Sequence, residues 1–229
     1  MIKRRFAITD IHGCLKTFKA LLKTIDLKKT DTLFLLGDYV DRGPSPQGVV
    51  RLIRELISNG YDVVCLMGNH EENLVEKFST NTMIWERLGG RGFKKKDVDP
   101  KGTWNGWRIE EIEFLAGLKR FHVTDRFIFV HAGLNFEWND PFKDTDAMLR
   151  IRHWHDATNY EWLGNRIIVH GHTAIKKNEI EELCSKIRYK KVMNIDCSCA
   201  YNIPNESFLC ALNLDDLLLT FQPNIESDN

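Results

Sequence analysis

Asp10 and His12 stand two residues apart at the end of a short apolar run, and in extended backbone that spacing sends a carboxylate and an imidazole to the same side. One cation can take both. Four more residues of ligating type, Asp38, Asn69, His131 and His170, stand just past apolar runs of their own. Asp38 is the natural bridge, because a carboxylate can be shared between two cations and offset their charge. Asn69, His131 and His170 then supply neutral oxygen and nitrogen donors to the second ion. Carboxylate, amide oxygen and imidazole without thiolate suit a divalent pair, manganese first and iron or zinc as alternatives. Two such ions roughly 3.5–4 Å apart clamp a phosphoryl group and lower the pKa of a shared water.

The residues around these ligands suit phosphate chemistry. Gly37-Asp38-Tyr39-Val40-Asp41-Arg42-Gly43 and Gly68-Asn69-His70-Glu71 carry glycines that permit sharp turns and close backbone approach to a ligand. Arg42 offers a planar fork matched to phosphate oxygens. His70 can protonate a leaving oxygen if its ring is held, and Asp41 is the obvious holder. Glu71 and Glu72 open a helix where acidic side chains favour the dipole, so Glu71 reads as a cap. His172 reads as a supporting or turn residue, and His122, His153 and His155 as surface or packing residues.

The elements that must position this chemistry are legible as runs. Phe6-Ala7-Ile8, Thr32 to Leu36, Val63 to Met67, Phe127 to Val130 and Ile167-Ile168-Val169 read as strands buried on both faces. In open α/β sheets, ligands bind beyond the carboxyl ends of such strands. Leu15, Phe18, Leu21, Leu22 and Ile25 recur at helical spacing, and Ser45-Pro46 opens a second helix closed by Asn59-Gly60. The opening is βαβαβ. A further helix is expected from His70 to about Phe78 and another from Ile109 to Leu118, followed by a hairpin through Asp125-Arg126. Gly89 to Gly92 break the pattern, Lys94-Lys95-Lys96 reads as a solvated turn, and Trp104 and Trp107 read as indoles pinning a loop to the body. Lys190 to Asp196, Ser207 to Leu214 and Leu217 to Phe221 read as consecutive antiparallel strands. The expectation is an α/β fold of two packed mixed β-sheets flanked by helices, one domain over residues 1–229.

Composition narrows the partners. The 229 residues carry 32 Lys and Arg against 32 Asp and Glu, so clustered positive charge for a phosphate backbone is absent and no nucleic-acid partner is expected. No run approaches a membrane span or a signal peptide, so no membrane partner is expected and the cytoplasm is the expected location. The six cysteines lie mostly in or beside apolar runs and read as buried free thiols; Cys197-x-Cys199 lacks the spacing and second pair of a zinc site.

Asp10-x-His12-Gly13, Gly37-Asp38-x-x-Asp41-Arg42-Gly43, Gly68-Asn69-His70-Glu71, His131-Ala132-Gly133 and Gly171-His172-Thr173 together resemble the phosphoprotein phosphatase family of metallophosphoesterases, most closely its small bacterial and phage lambda-type serine/threonine phosphatases. The resemblance implies Asp10, His12 and Asp38 at one metal, and Asp38, Asn69, His131 and His170 at the other. It also implies His70 paired with Asp41 as the general acid, and Arg42 on the phosphate. A second phosphate-binding arginine is implied by a Leu-Trp-x-Arg pattern, which Leu149-Arg150-Ile151-Arg152 fits with Arg152, Arg150 competing. The implied activity is phosphomonoester hydrolysis by direct attack, with phosphorylated protein or peptide partners. The alternative is a dinucleoside-polyphosphate hydrolase such as one acting on diadenosine tetraphosphate, a branch whose loop resembles Gly-Asp-x-x-Ala-Arg-Gly. Ile195-Asp196-Cys197-Ser198 departs from the family's Ile-Asp-Thr-Gly.

Overall fold

The structure, a computed structural model, describes residues 3–81, 103–201 and 203–226. The chain opens as β1 (Arg5–Ile8), α1 (Leu15–Thr24), β2 (Thr32–Leu35), α2 (Pro46–Ser58) and β3 (Asp62–Cys65), followed by α3 (Asn69–Asn81). The three strands are parallel, with Ala7 opposite Phe34 and Phe34 opposite Val64. Of the apolar residues of α1 and α2 that recur at helical spacing, Phe18, Leu21, Val49, Val50 and Ile53 are buried and Leu15 and Leu22 half-buried. Ser45 holds the N-cap position of α2, but its hydroxyl makes no capping bond.

Next come a two-residue-strand hairpin, β4 (Thr103–Trp104) and β5 (Trp107–Arg108), and α4 (Ile109–Ala116). Trp104 and Trp107 are buried in the core beside α1 and α2, as the pinned-loop reading expects. The glycine run at 89–92 and the lysine turn at 94–96 lie outside the described residues. β6 (Phe121–Val123) and β7 (Phe127–Val130) form the expected antiparallel hairpin. The short helices α5 (Ala147–Arg150) and α6 (Tyr160–Leu163) precede β8 (Ile167–His170), and α7 (Lys177–Ser185) and α8 (Ile187–Lys190) lead into β9 (Val192–Asn194). β10 (Phe208–Asn213) and β11 (Leu219–Pro223) close the chain.

Two sheets result, in the orders β11-β10-β1-β2-β3 and β6-β7-β8-β9. The tail therefore departs from three consecutive antiparallel strands. β9 pairs parallel with β8 in the second sheet, while β10 pairs antiparallel with β1 in the first. The reason is the helical crossover α7–α8, which carries β9 back alongside β8 before the chain changes sheets. Alternation along each strand sorts the apolar side chains into layers. Ala7, Phe34 and Leu36 of one sheet meet Phe127, Phe129 and Val169 of the other between the sheets. Phe6, Ile8, Leu33 and Leu35 face α1 and α2, and Ile128, Val130, Ile168 and Val192 face Trp154 and Leu163. This is the expected mixed α/β fold of two sheets flanked by helices. Among the described residues no helix is long and apolar enough to cross a membrane, and all six cysteines are free thiols.

Candidate metal centre

The carboxyl ends of β1, β2, β3, β7 and β8 continue into turns that meet over the edge of the two sheets. Asp10 N donates to Gly37 O at 3.1 Å, His12 N to Asp38 O at 2.8 Å and Gly13 N to Tyr39 O at 2.8 Å, so the turns after β1 and β2 stay in register beyond the strands. Gly171 N donates to His131 O at 2.8 Å and does the same for β7 and β8. Asp10, His12, Asp38, Asp41, Arg42 and His172 all have positive φ, between 45° and 70°. A left-handed backbone is costly for residues with a side chain, and its concentration here marks turns shaped for a ligand. Gly171 is needed for a different reason: a Cβ there would run into the Asp10 carboxylate.

Asp38 lies at the middle of the cluster. Its Oδ2 is 3.4 Å from His12 Nε2 and its Oδ1 is 3.4 Å from His131 Nε2. Asp10 Oδ1 is 3.7 Å from His12 Nε2, while Asp10 Oδ2 accepts from Thr9 Oγ1 and from the backbone of His172. Asn69 Oδ1 lies 3.1 Å from His131 Nε2 and 3.0 Å from His172 Nδ1. His12–Asp38–His70 and Asp38–His131–His172 thus form two ligand-type groups that share Asp38.

The ring orientations show that these residues suit cations. His12 Nδ1 is 2.9 Å from Val40 O and His131 Nδ1 is 3.0 Å from Leu36 O. A carbonyl only accepts, so both rings donate through Nδ1 and turn Nε2 toward the carboxylates, the tautomer a metal requires. Carbonyls, carboxylates and imidazole lone pairs cannot converge without a proton or a metal ion between them. The same conflict appears in the proton affinities. Burial opposes protonation of His131, but the Asp38, Asp10 and Glu71 carboxylates outweigh it and push the ring up to about 10. Against burial, His131, His12 and His70 hold the Asp38 carboxyl well below the usual range. Burial is the larger effect at His12 and lowers it.

His170 does not join this cluster. Along β8 it shares the face of Ile168, which looks toward Trp154 and away from the first sheet. Its Nε2 meets His155 Nε2 at 2.9 Å and its Nδ1 donates to Gly171 O at 3.1 Å. Burial, with His155 next to it, pushes this imidazole down to about 3. His172, read from sequence as a supporting residue, takes its place, because φ of +70° turns the chain back and brings the ring against Asn69. Its Nε2 is buried without a partner. The period-2 parity of β8 was the available signal: His131 shares the inter-sheet face of Phe129, whereas His170 does not.

His70 Nδ1 is 2.7 Å from Asp41 Oδ2, and its Nε2 faces Asp38 Oδ2 at 3.9 Å. The Asp41 hydrogen bond raises the His70 pKa and lowers that of Asp41. Arg42 is exposed, with its guanidinium 5.0 Å from the Tyr201 ring centroid. Arg152 Nη1 donates to Thr173 Oγ1 at 3.3 Å, next to His172. Arg150 instead pairs with Glu72 and Asp146 and donates to Asn73. Arg152 is therefore the arginine that borders the cluster.

Two supporting residues were undervalued or unseen in the sequence. Glu71 does more than cap a helix: fully buried, it accepts backbone hydrogens of Asp38, Tyr39, Val40 and Gly68, fastening the β2 turn to the β3 turn. Burial and Asp38 push its carboxyl up to about 7. Asp196, also buried, accepts from Ser198 N, and Ser198 has φ of 61° where the resemblance expects glycine.

Residues 4–197 match the calcineurin-like phosphoesterase family, and the chain belongs to it. The chain is similar to the symmetrical bis(5'-nucleosyl)-tetraphosphatase of Buchnera aphidicola, 41% identical over 58% of this chain and 46% of that one. It is also similar to the protein of the same name from Wigglesworthia glossinidia brevipalpis, 25% identical over 83% of this chain and 66% of that one. The chain thus spans between about half and two thirds of these relatives. A solved chain provisionally described as a diadenosine tetraphosphatase shares the fold, with TM-score 0.67, 20% identity and coverage of 97% and 94%. The relatives are named for acting on dinucleoside tetraphosphates, which are small nucleotides. That corrects the expectation of phosphorylated protein or peptide partners, and it narrows the resemblance to the wider calcineurin-like family.

Proposed function

We propose that this chain hydrolyses the polyphosphate bridge of a dinucleoside polyphosphate, diadenosine tetraphosphate being the test substrate. The chemistry rests on one observation: Asp38 set between the Nε2 atoms of His12 and His131, whose tautomers backbone carbonyls fix. The substrate class rests on the similarity to symmetrical tetraphosphatases.

In this reading Asp10, His12 and Asp38 hold one divalent ion, and Asp38, Asn69, His131 and His172 hold the other, manganese being the proposed metal. Divalent ions held there would polarise the phosphoryl group and supply hydroxide from solvent near neutral pH. Arg42, in the turn after β2, and Arg152, bonded to Thr173 beside His172, orient the phosphoryl oxygens. As solvent oxygen bonds to phosphorus, the bond from phosphorus to the bridging oxygen breaks, and His70, held by Asp41, delivers its Nε2 proton to the departing oxygen.

A second reading, hydrolysis of small phosphate monoesters, is favoured by Asp41 itself, since a diphosphate leaves readily and an alcohol needs the proton more. Purified chain with manganese, assayed on diadenosine tetraphosphate by anion-exchange chromatography, is expected to release ADP as the only nucleotide product. Faster turnover of p-nitrophenyl phosphate or phosphopeptides, with the dinucleotide left intact, would overturn the primary reading.

A further inference from the structure

The turn at His155–Ala157 and the start of α6 face α7, α8 and the first residue of β9 across a cavity of about 290 Å³, lined by His155, Asp156, Tyr160, Leu183, Lys190 and Val192. None of these residues belongs to the metal cluster, yet the cavity is tied to it twice. Arg152, bonded to Thr173 beside His172, is three residues from His155, so at most about 11 Å of extended backbone separates them. His155 also touches His170, two residues before His172 on the same strand end.

The hydrogen bonds around His170 decide what His155 offers. Gly171 O only accepts, so His170 donates through Nδ1 and, being buried and neutral, leaves Nε2 bare. His155 must therefore donate from Nε2 across the 2.9 Å contact. Its Nδ1 is then left as an acceptor on a residue that lines the cavity. Tyr160 is 45% exposed, so much of its ring is uncovered, and Leu183 and Val192 add apolar wall. Asp156 supplies a second acceptor and Lys190 a cation. The volume lies just below the roughly 300–1,000 Å³ typical of small-molecule sites, the scale of one base and its ribose, not of a dinucleotide.

We propose that this cavity is a nucleoside subsite: a purine base lies against Tyr160, between Leu183 and Val192, and its exocyclic amino group donates to His155 Nδ1 or to Asp156. Lys190 serves the adjoining phosphate. The assignment rests on the nucleotide-substrate reading above and adds to it a place for one nucleoside away from the reacting phosphorus.

Calorimetric titration of the manganese-loaded chain with AMP and with ribose 5-phosphate tests it, because both ligands carry the phosphate and only AMP carries the base. AMP is expected to bind about tenfold more tightly, within the range of base stacking on an aromatic ring. In Tyr160→Ala, and independently in His155→Ala, the ratio is expected to fall toward one. Thermal melts of each variant check that it is folded, as expected because both side chains lie at the surface. Equal affinities in the unmodified chain, or a tenfold ratio that survives in either folded variant, would overturn the subsite. Turnover of diadenosine tetraphosphate on the same preparation reports separately on the substrate: its absence with the AMP preference intact removes the proposed reaction and leaves the subsite standing.

Discussion

His172 Nδ1 and His131 Nε2 both lie within 3.1 Å of Asn69 Oδ1, an arrangement in which losing either ring opens one side of a cation site. His172→Ala is expected to reduce bound manganese from about two ions per chain to about one, read by elemental analysis after desalting. His170→Ala is expected to keep both ions, because that ring bonds His155 and Gly171 instead. The opposite pattern would return His170 to the ligand set. At His70 the expected effect is on rate: His70→Asn should lower kcat by about 10²–10⁴-fold on a substrate with a poor leaving group while metal content holds. Asp41→Asn should move the alkaline limb of the rate profile to lower pH. The Asp41 hydrogen bond raises the His70 pKa, so removing it makes the ring lose its proton earlier as pH rises. An unmoved limb would separate the pair from the proton transfer.

Elements hold these residues through a few buried polar contacts. Glu71, at the start of α3, accepts four backbone hydrogens from two turns, and hydrogen bonds to a charged acceptor are worth about 1.5–3 kcal/mol each. Glu71→Leu, which leaves those donors buried and unmatched, is expected to cost at least about 3 kcal/mol in urea unfolding and to weaken manganese binding. At the other end of β1, Asp31 accepts from Arg4 Nη2 at 2.6 Å and from Lys28 N at 2.9 Å, tying β1 to the loop before β2. Despite burial, those bonds hold the Asp31 carboxyl below its ordinary value. The folded pKa is depressed, so its stabilisation is fully present above the ordinary carboxylate pKa of about 4 and is lost as pH falls through the lower folded value. Asp31→Asn is expected to cost about 2 kcal/mol at neutral pH, and less at pH 3. A cost equal at both pH values would show that charge plays no part.

At the scale of the whole molecule, the cluster joins two sheets that otherwise meet through apolar packing. Asp10, Asp38 and Asn69 follow strands of the first sheet, and His131 and His172 follow strands of the second. Metal bound there acts on the folded state alone. At a free concentration 100 times the dissociation constant it should add about 2.7 kcal/mol. For a chain of this size that corresponds to a Tm higher by roughly 5–10 °C than in chelator, seen by scanning calorimetry. A Tm indifferent to manganese and chelator would argue against ligands drawn from both sheets.

By itself the sequence determined the strands of the two main sheets and the helices α1 to α4, because continuous apolar runs ended by turn residues and helical spacing of Leu, Ile and Val are local signals. It also determined which segments meet at the cluster, since Asp10, His12, Asp38, Asn69 and His131 each follow such a run and lie together in space. The tertiary structure alone decided the rest. β9 joins the second sheet because a helical crossover places it there, and no local pattern in Lys190 to Asp196 names its neighbour. His172 replaces His170 because a left-handed turn after β8 reverses the side chain's direction, whereas spacing along the chain reports proximity to the site but not which way a ring points. Glu71 fastens two turns for a similar reason: three of its four donors, Asp38, Tyr39 and Val40, stand more than 30 positions away and come within reach only when β2 and β3 pair.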